Sequence, residues 1–444
     1  MGRMGRMGKT LVMLAVFPVA AYPASPASPA RPAFPGPVAA QIPFEQTVRD
    51  LGSTDPGTRL KAAQMLKEAA YPEAAVPLAA LITDPQDEVQ LEAIAAELNI
   101  FLAERIVPRK RIGLIVEKRT AILAESAFSV GPLAIGSRPV PIEVLTALRA
   151  GARDENPRVA LESLYAFGVL GVDAGGRARR DLLRASGPDV AALTGASDPA
   201  LRYAALRVMG RLFAMRAADD PVEQTVGDAV ITALNDDDRA VKGAAMAALG
   251  TMRYERGVQA LTDLFQYYGK SDAAEAALDA LARIAHPASV PLFAAQLAGK
   301  NAARRGIAIE GFARLGDKSK LAEIQSVLDG DHNDGVALAG AFASAMLANA
   351  SIDRIAEATT RSKLRAQSRQ YLIELAPGRS SAFSRHLLDP DMRVRLDIVD
   401  ALGLGGDPAA LPILEPVMKD RDSQVARAAE RAVARLRPSN RGGR

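Results

Sequence analysis

From residue 50 onward, apolar residues recur at helical spacing behind an aspartate that is often followed by proline. Asp55-Pro56 precedes Leu60, Ala63 and Leu66; Asp84-Pro85 precedes Val89, Ala93 and Ala96; Asp154, with Asn156-Pro157, precedes Val159 and Leu164. Asp198-Pro199, Asp236, Asp389-Pro390 and Asp420 open four more copies, and weaker ones lie at 302–316 and 335–348. The first two anchors are 29 residues apart and the last two 31, a period that signals stacked repeats. Aspartate is a preferred helix cap because its carboxylate accepts the unpaired amides of the first turn, and proline at the first helical position forfeits no hydrogen bond. Each anchor therefore predicts a helix start, and Gly250, Gly316 and Gly403 predict left-handed stops. A second amphipathic stretch follows, as at 290–297 after His286-Pro287 and at 409–418, so each unit reads as two helices.

Ordering one unit of about 30 residues costs roughly 45 kcal/mol of conformational entropy, more than an isolated helix pair offsets by burying one face. Stacked units share a continuous core instead. The expected fold is all-α, an α-solenoid of stacked antiparallel helix pairs. Residues 41–99 and 141–437 carry the repeats. Between them, 100–140 interrupt the period with Pro108-Arg109-Lys110-Arg111 and with Gly131-Pro132 to Pro141, although 112–128 are apolar enough to dock as one extra helix.

Composition narrows the chemistry. The 444 residues contain no cysteine, which excludes disulfides, thiolate metal sites and cysteine nucleophiles, and only three histidines, His286, His332 and His386, with no local ligand spacing. No catalytic residue, metal or cofactor is expected. Residues 1–40 hold Arg3, Arg6, Lys9 and Arg31 and no acid, which leaves 51 basic against 51 acidic residues in the rest. A neutral body argues against nucleic acid as a partner.

The amino terminus reads as a secretory signal. Arg3, Arg6 and Lys9 precede an apolar run from Leu11 to Ala21 that is too short to span a bilayer, and Val19-Ala20-Ala21 suits a signal peptidase. No stable membrane anchor is expected, and the protein reads as exported to the periplasm of a bacterium. Pro23, Pro26, Pro29, Pro32 and Pro35 then recur every third residue, as in a polyproline spacer. A second cleavage-like run precedes Gln41, and 438–444 read as a disordered basic tail. Gly8-Lys9-Thr10 mimics a phosphate-binding loop, but Arg3 stands where that motif needs glycine.

The runs Asp389-Pro-Asp-Met-Arg-Val-Arg-Leu and Asp236-Asp-Asp-Arg-Ala-Val-Lys-Gly-Ala-Ala resemble HEAT repeats, specifically the short type named after phycobilisome lyase subunits, over roughly residues 45–437. The resemblance implies a binding surface rather than a chemistry. Basic residues at Arg59, Lys61, Arg158, Arg202, Lys242, Arg393 and Arg395 recur just behind the anchors. They could form a ladder that holds an acidic peptide or a protein partner; what is known of HEAT repeats implies instead that such Asp and Arg residues pair between neighbouring units. Tyr267 falls off the stripe formed by Leu261, Leu264, Phe265 and Tyr268 and is a candidate partner anchor. Asp329 to Gly335 resembles a calcium loop but has glycine one position late and no twelfth-position glutamate, and Ser384, His386 and Asp389 form a triad only on paper. The reading is a monomeric, non-catalytic protein-interaction scaffold. The alternative is a helper or subunit of a modifying enzyme, of the lyase kind.

Overall fold

The computed structural model describes residues 43–102, 140–171, 185–213 and 222–437. The signal segment and spacer, the extra helix expected at 112–128 and the basic tail lie outside the described residues. The chain divides into two units at residues 41 and 42, and the second carries the repeats.

Eleven helices of 11 to 15 residues form one layer among the described residues: α1 (Pro56–Ala69), α2 (Asp87–Phe101), α3 (Pro157–Leu170), α4 (Pro199–Leu212), α5 (Arg239–Met252), α6 (Asp272–Ile284), α7 (Ala302–Leu315), α8 (Asp334–Ala348), α9 (Arg365–Leu375), α10 (Met392–Gly405) and α11 (Ser423–Leu436). Each packs against the next. Other helices and 3-10 turns, such as Ile142–Gly151, Val258–Tyr268 and the broken stretch 408–419, form a second layer against the first. One hydrophobic core runs between the layers from Leu51 to Leu436, and no strand is present among the described residues. This is the α-solenoid that the period predicts.

The caps divide the anchor aspartates into two kinds. Asp55 and Asp198 are true caps, accepting the Thr58 and Ala200 amides at 2.8 Å. At the other anchors the cap stands two residues later, at Gln86, Asn156, Asp238, Asp391 and Asp422. There the anchor carboxylate accepts the amide of the capping residue instead: Asp84 from Gln86 at 2.9 Å, and Asp154, Asp236, Asp389 and Asp420 from theirs at 2.8 Å. An aspartate outside the helix folds the entry turn, and the residue after next takes the cap position, where Asn156, Asp238, Asp391 and Asp422, but not Gln86, accept a first-turn amide through the side chain. Proline at 85 and 390 thus lies in the turn rather than at the first helical position.

Two expected stops also move. Gly316 ends α7 in the left-handed region (φ 73°), but Gly250 and Gly403 lie inside α5 and α10, which end at Arg253 (φ 52°) and Gly406 (φ 75°). Gly250 is small for a different reason: a Cβ there would sit 2.9 Å from Ala280 Cα on α6, so the two helices touch backbone to backbone.

Candidate functional site: the capped layer

Counting from each cap, the fourth residue of α1, α4, α7 and α10 is Arg59, Arg202, Arg305 or Arg395. Its guanidinium reaches the aspartate two residues before the next cap. Arg59 forks onto Asp84 at 2.6 and 2.8 Å, Arg202 onto Asp236 at 2.6 and 2.9 Å, and Arg395 onto Asp420 at 2.9 and 2.9 Å. Arg305 meets Asp331 at 2.6 Å. At the α2 to α3 step Gln90 substitutes, donating to Asp154 at 2.8 Å. Each of the four arginines also donates Nη1 to carbonyls of its own entry turn, as Arg202 does to Ala196 and Ser197. Such charge-assisted forks, largely shielded from water, hold consecutive units in register. Hydrogen bonding to Arg202 holds the Asp236 carboxyl below the usual range, and the bond to Asp236 raises the guanidinium in turn.

This geometry redistributes the residues expected to bind a partner. Arg59, Arg202 and Arg395 are rungs between units and present no free cation. Arg393 is exposed but bonded to the Asp391 cap of its own helix at 2.7 Å, which draws the Asp391 carboxyl down to about 2. Lys242 holds the rung position of α5, but its counterpart two residues before the Ser271 cap is Gly269, which offers no acid. Arg158 is exposed near the start of α3, and Tyr267 is 82% exposed, edge-on to Tyr268 with ring centroids 5.2 Å apart. No common site gathers these residues.

The structure assembles a polar network that local spacing does not reveal. Arg314 of α7 donates Nη1 to Glu310 at 3.0 Å, and Nε and Nη2 to Glu374 of α9 at 2.8 and 3.1 Å. The Tyr371 hydroxyl donates to Glu310 at 2.5 Å, and Gln367 donates to the Tyr371 oxygen at 2.6 Å. Arg283 of α6 bonds Asp279 at 2.7 Å and donates to Gln370 of α9 at 3.1 Å. The path from α7 to α9 crosses α8, whose residues there are small except Phe342; that ring stacks on Tyr371 at 4.2 Å and lies 5.4 Å beneath the Arg314 guanidinium. Burial opposes the charge of Arg314, but Glu374 and Glu310 outweigh it and hold the guanidinium protonated. Glu374 stays below the usual range although it too is buried, because Arg314 faces it.

Beside this network a groove of about 850 Å³ opens between α7, the start of α8 and residues 361–367. Glu310 and Gln367 lie in its wall, with Arg361, Lys363, His332 and Asp334 around them. A groove of about 450 Å³ lies between α4 and α5, walled by Tyr203, Arg207, Asp238 and Arg239. Another of about 420 Å³, between α1 and α2, is walled by Pro56, Leu60, Asp87 and Glu88. All three open between the amino-terminal turns of neighbouring capped helices.

Other candidates dissolve on inspection. Ser384 spends its hydroxyl on the Ser381 carbonyl at 2.8 Å. The buried His386 Nε2 lies 3.1 Å from Asp353, burial lowers its pKa, and no side-chain hydrogen bond joins it to Ser384 or Asp389, so no triad assembles. In the calcium-like loop, Asp331 is a rung acceptor and Asn333 caps α8 through the Gly335 amide at 2.9 Å. No group of metal-ligating side chains and no helix long and apolar enough to cross a membrane occurs among the described residues.

Residues 188–269, which include α4 and α5, match the family model of HEAT repeats; the match does not single out the short phycobilisome-lyase type. No curated protein matches the chain. Among solved structures the chain is similar to an engineered protein (17% identity, covering 88% of this chain and 98% of that one, TM-score 0.42). It is also similar to a designed armadillo repeat protein in complex with the peptide (KR)4 (14%, 61% and 98%, 0.35). A third is a chain of the structure of Kap95p bound to RanGDP (15%, 87% and 49%, 0.33).

Proposed function

We propose that this HEAT-type solenoid is a non-catalytic scaffold that is exported and binds a protein partner along the open face of its capped layer. The observation that carries the reading is the division of labour on that layer. Its rung arginines are consumed in holding units together, while three grooves of differing charge stay open between helix starts. Binding spread over neighbouring units is how a repeat array without a single deep pocket gains affinity. Export rests on the charged, apolar and small-residue order of residues 1–21. Mass spectrometry of the mature protein tests it: a start at Tyr22 or Gln41 supports export, and an intact amino terminus on cytosolic material overturns it.

The binding face is tested by site-specific photocrosslinking in the native cell. A benzophenone side chain at Ala303, exposed in the wall of the groove of about 850 Å³, should crosslink to a discrete partner band. The same group at Gln259, exposed on the second layer, should not. Equal crosslinking at both, or at neither, sinks the assignment of the face.

A further inference from the structure

We infer that the groove between α4 and α5 is a carboxylate-binding site for an acidic segment of a protein partner. The inference rests on the scaffold reading and deepens it. Arg207, the ninth residue past the α4 cap, is half-buried in the wall of the groove, and among the described residues no carboxylate is bonded to it across a unit boundary as Asp236 is to Arg202. Arg239, at the first position of α5, is exposed. Its acidic neighbour is Asp272 at 3.8 Å, with side chains 82% and 96% exposed, a separation and solvation at which an ion pair contributes little. Asp238, the one acid in the wall, already accepts the amides of Ala240 and Val241 at 2.8 and 3.2 Å as the cap of α5, so its charge is directed at the helix start. Arg207 and Arg239 therefore both line a groove of about 450 Å³ whose one acid, Asp238, is engaged at the helix start. Arginine forks match carboxylate geometry, and a groove wall that removes part of the water strengthens the bond.

The floor of the groove suits a chain laid across it. Ala240, Gly243 and Ala244 present almost no side chain, and a Cβ built on Gly243 would meet nothing within 4 Å. The space is open rather than filled by a neighbour. Charge disfavours residues 1–40 and 438–444 as occupants, since the first stretch contains four basic residues and no acidic side chain, and the second Arg441 and Arg444 and no acidic side chain. Nucleic acid is disfavoured because the rest of the chain is neutral and this pair is not part of a basic stripe.

The test uses the full chain and two fluorescein-labelled peptides, (Glu-Gly)4 and (Gln-Gly)4, titrated by fluorescence anisotropy at low salt. The glutamate peptide should bind saturably and the glutamine peptide should not. The double variant Arg207→Gln/Arg239→Gln should weaken binding about tenfold or more, from loss of charged hydrogen bonds. Gly243→Leu should weaken it comparably by filling the floor, with both arginines in place. Its melting temperature should stay equal or rise, because a helix-interior glycine is being replaced. Absence of saturable binding, or binding that survives both variants, overturns the site. So does a single-stranded oligonucleotide that binds with the same sensitivity to both variants, because the groove would then read polyanions and not carboxylates. Crosslinking at Ala303 that persists in the Gly243→Leu protein would leave the scaffold standing while this groove failed, so the two readings fall separately.

Discussion

Two stretches of the capped layer bury glutamates, and they treat them in opposite ways. In α7 and α9, Glu310 and Glu374 share the Arg314 guanidinium with Tyr371 and Gln370 close by, and every buried carboxylate oxygen there has a donor. In α2 and α3, Glu97 and Glu162 are 0% and 1% exposed, and none of their four carboxylate oxygens has a hydrogen-bond partner among the described residues. Burial alone pushes Glu97 well above the carboxylate range; it lifts Glu162 to about 8 against the opposing field of Arg158. A buried acid can be tolerated by pairing or by keeping its proton, and this chain uses both routes. The difference is conditional: the paired region is insensitive to mild changes of pH, whereas the unpaired one is stable only while protons are held.

Removing the shared cation should have the largest effect. Arg314→Met leaves Glu310 and Glu374 buried without a counter-charge and should cost about 3–5 kcal/mol in chemical denaturation. A loss below about 1 kcal/mol would mean that the network is not desolvated in solution. Glu162→Gln should act in the other direction and with a pH signature. The folded pKa of Glu162 is raised to about 8 from an ordinary 4.5, so the folded state holds a proton that the unfolded chain releases between those values. Its stabilising contribution is complete below about pH 4.5 and is lost as pH rises toward 8. The glutamine variant should therefore gain roughly 2–4 kcal/mol at pH 8 over the parent and little at pH 4.5. Parallel pH profiles for the two proteins would show that Glu162 is solvated. The smallest effect concerns a helix stop outside both regions. Ala285 ends α6 in the left-handed conformation at φ 56°, where a Cβ is strained, so Ala285→Gly should stabilise by about 0.5–1 kcal/mol in a melting experiment.

The paired region is also the part of the molecule that the sequence conceals. Helix starts were legible because a cap is a local device, with the aspartate and the amides it serves lying within three residues of one another. Even so, one residue type performs two tasks. Asp198 caps a helix, while Asp236 folds the turn before a cap and receives an arginine, and only the acid or amide two residues later distinguishes them. Arg305 carries no such signal, because its helix opens on Asn301 without an Asp-Pro pair. The Arg314 network shows locally only as i,i+4 pairs such as Glu310–Arg314 and Asp279–Arg283, which any exposed helix face can carry. Its joining bonds are distant, since Glu374 lies 60 residues from Arg314 and the Arg283 to Gln370 bond spans 87, and they form because the small residues of α8 let α7 and α9 meet across it. Grooves are equally hidden, since Arg207 and Arg239 belong to different units.

The rungs make the units interchangeable in a rule-bound way. A unit that ends its contact in Arg202 or Arg395 asks only that its successor open with aspartate two residues before the cap, whatever lies beyond. The stretch opening at Asp389 should thus accept the position now held by the one opening at Asp236. The stretch with Gly269 before its Ser271 cap should not follow an arginine-bearing unit without losing a fork. Recombination between copies would therefore be filtered by a two-letter junction, and arrays of this kind can change length by whole units wherever both letters are present.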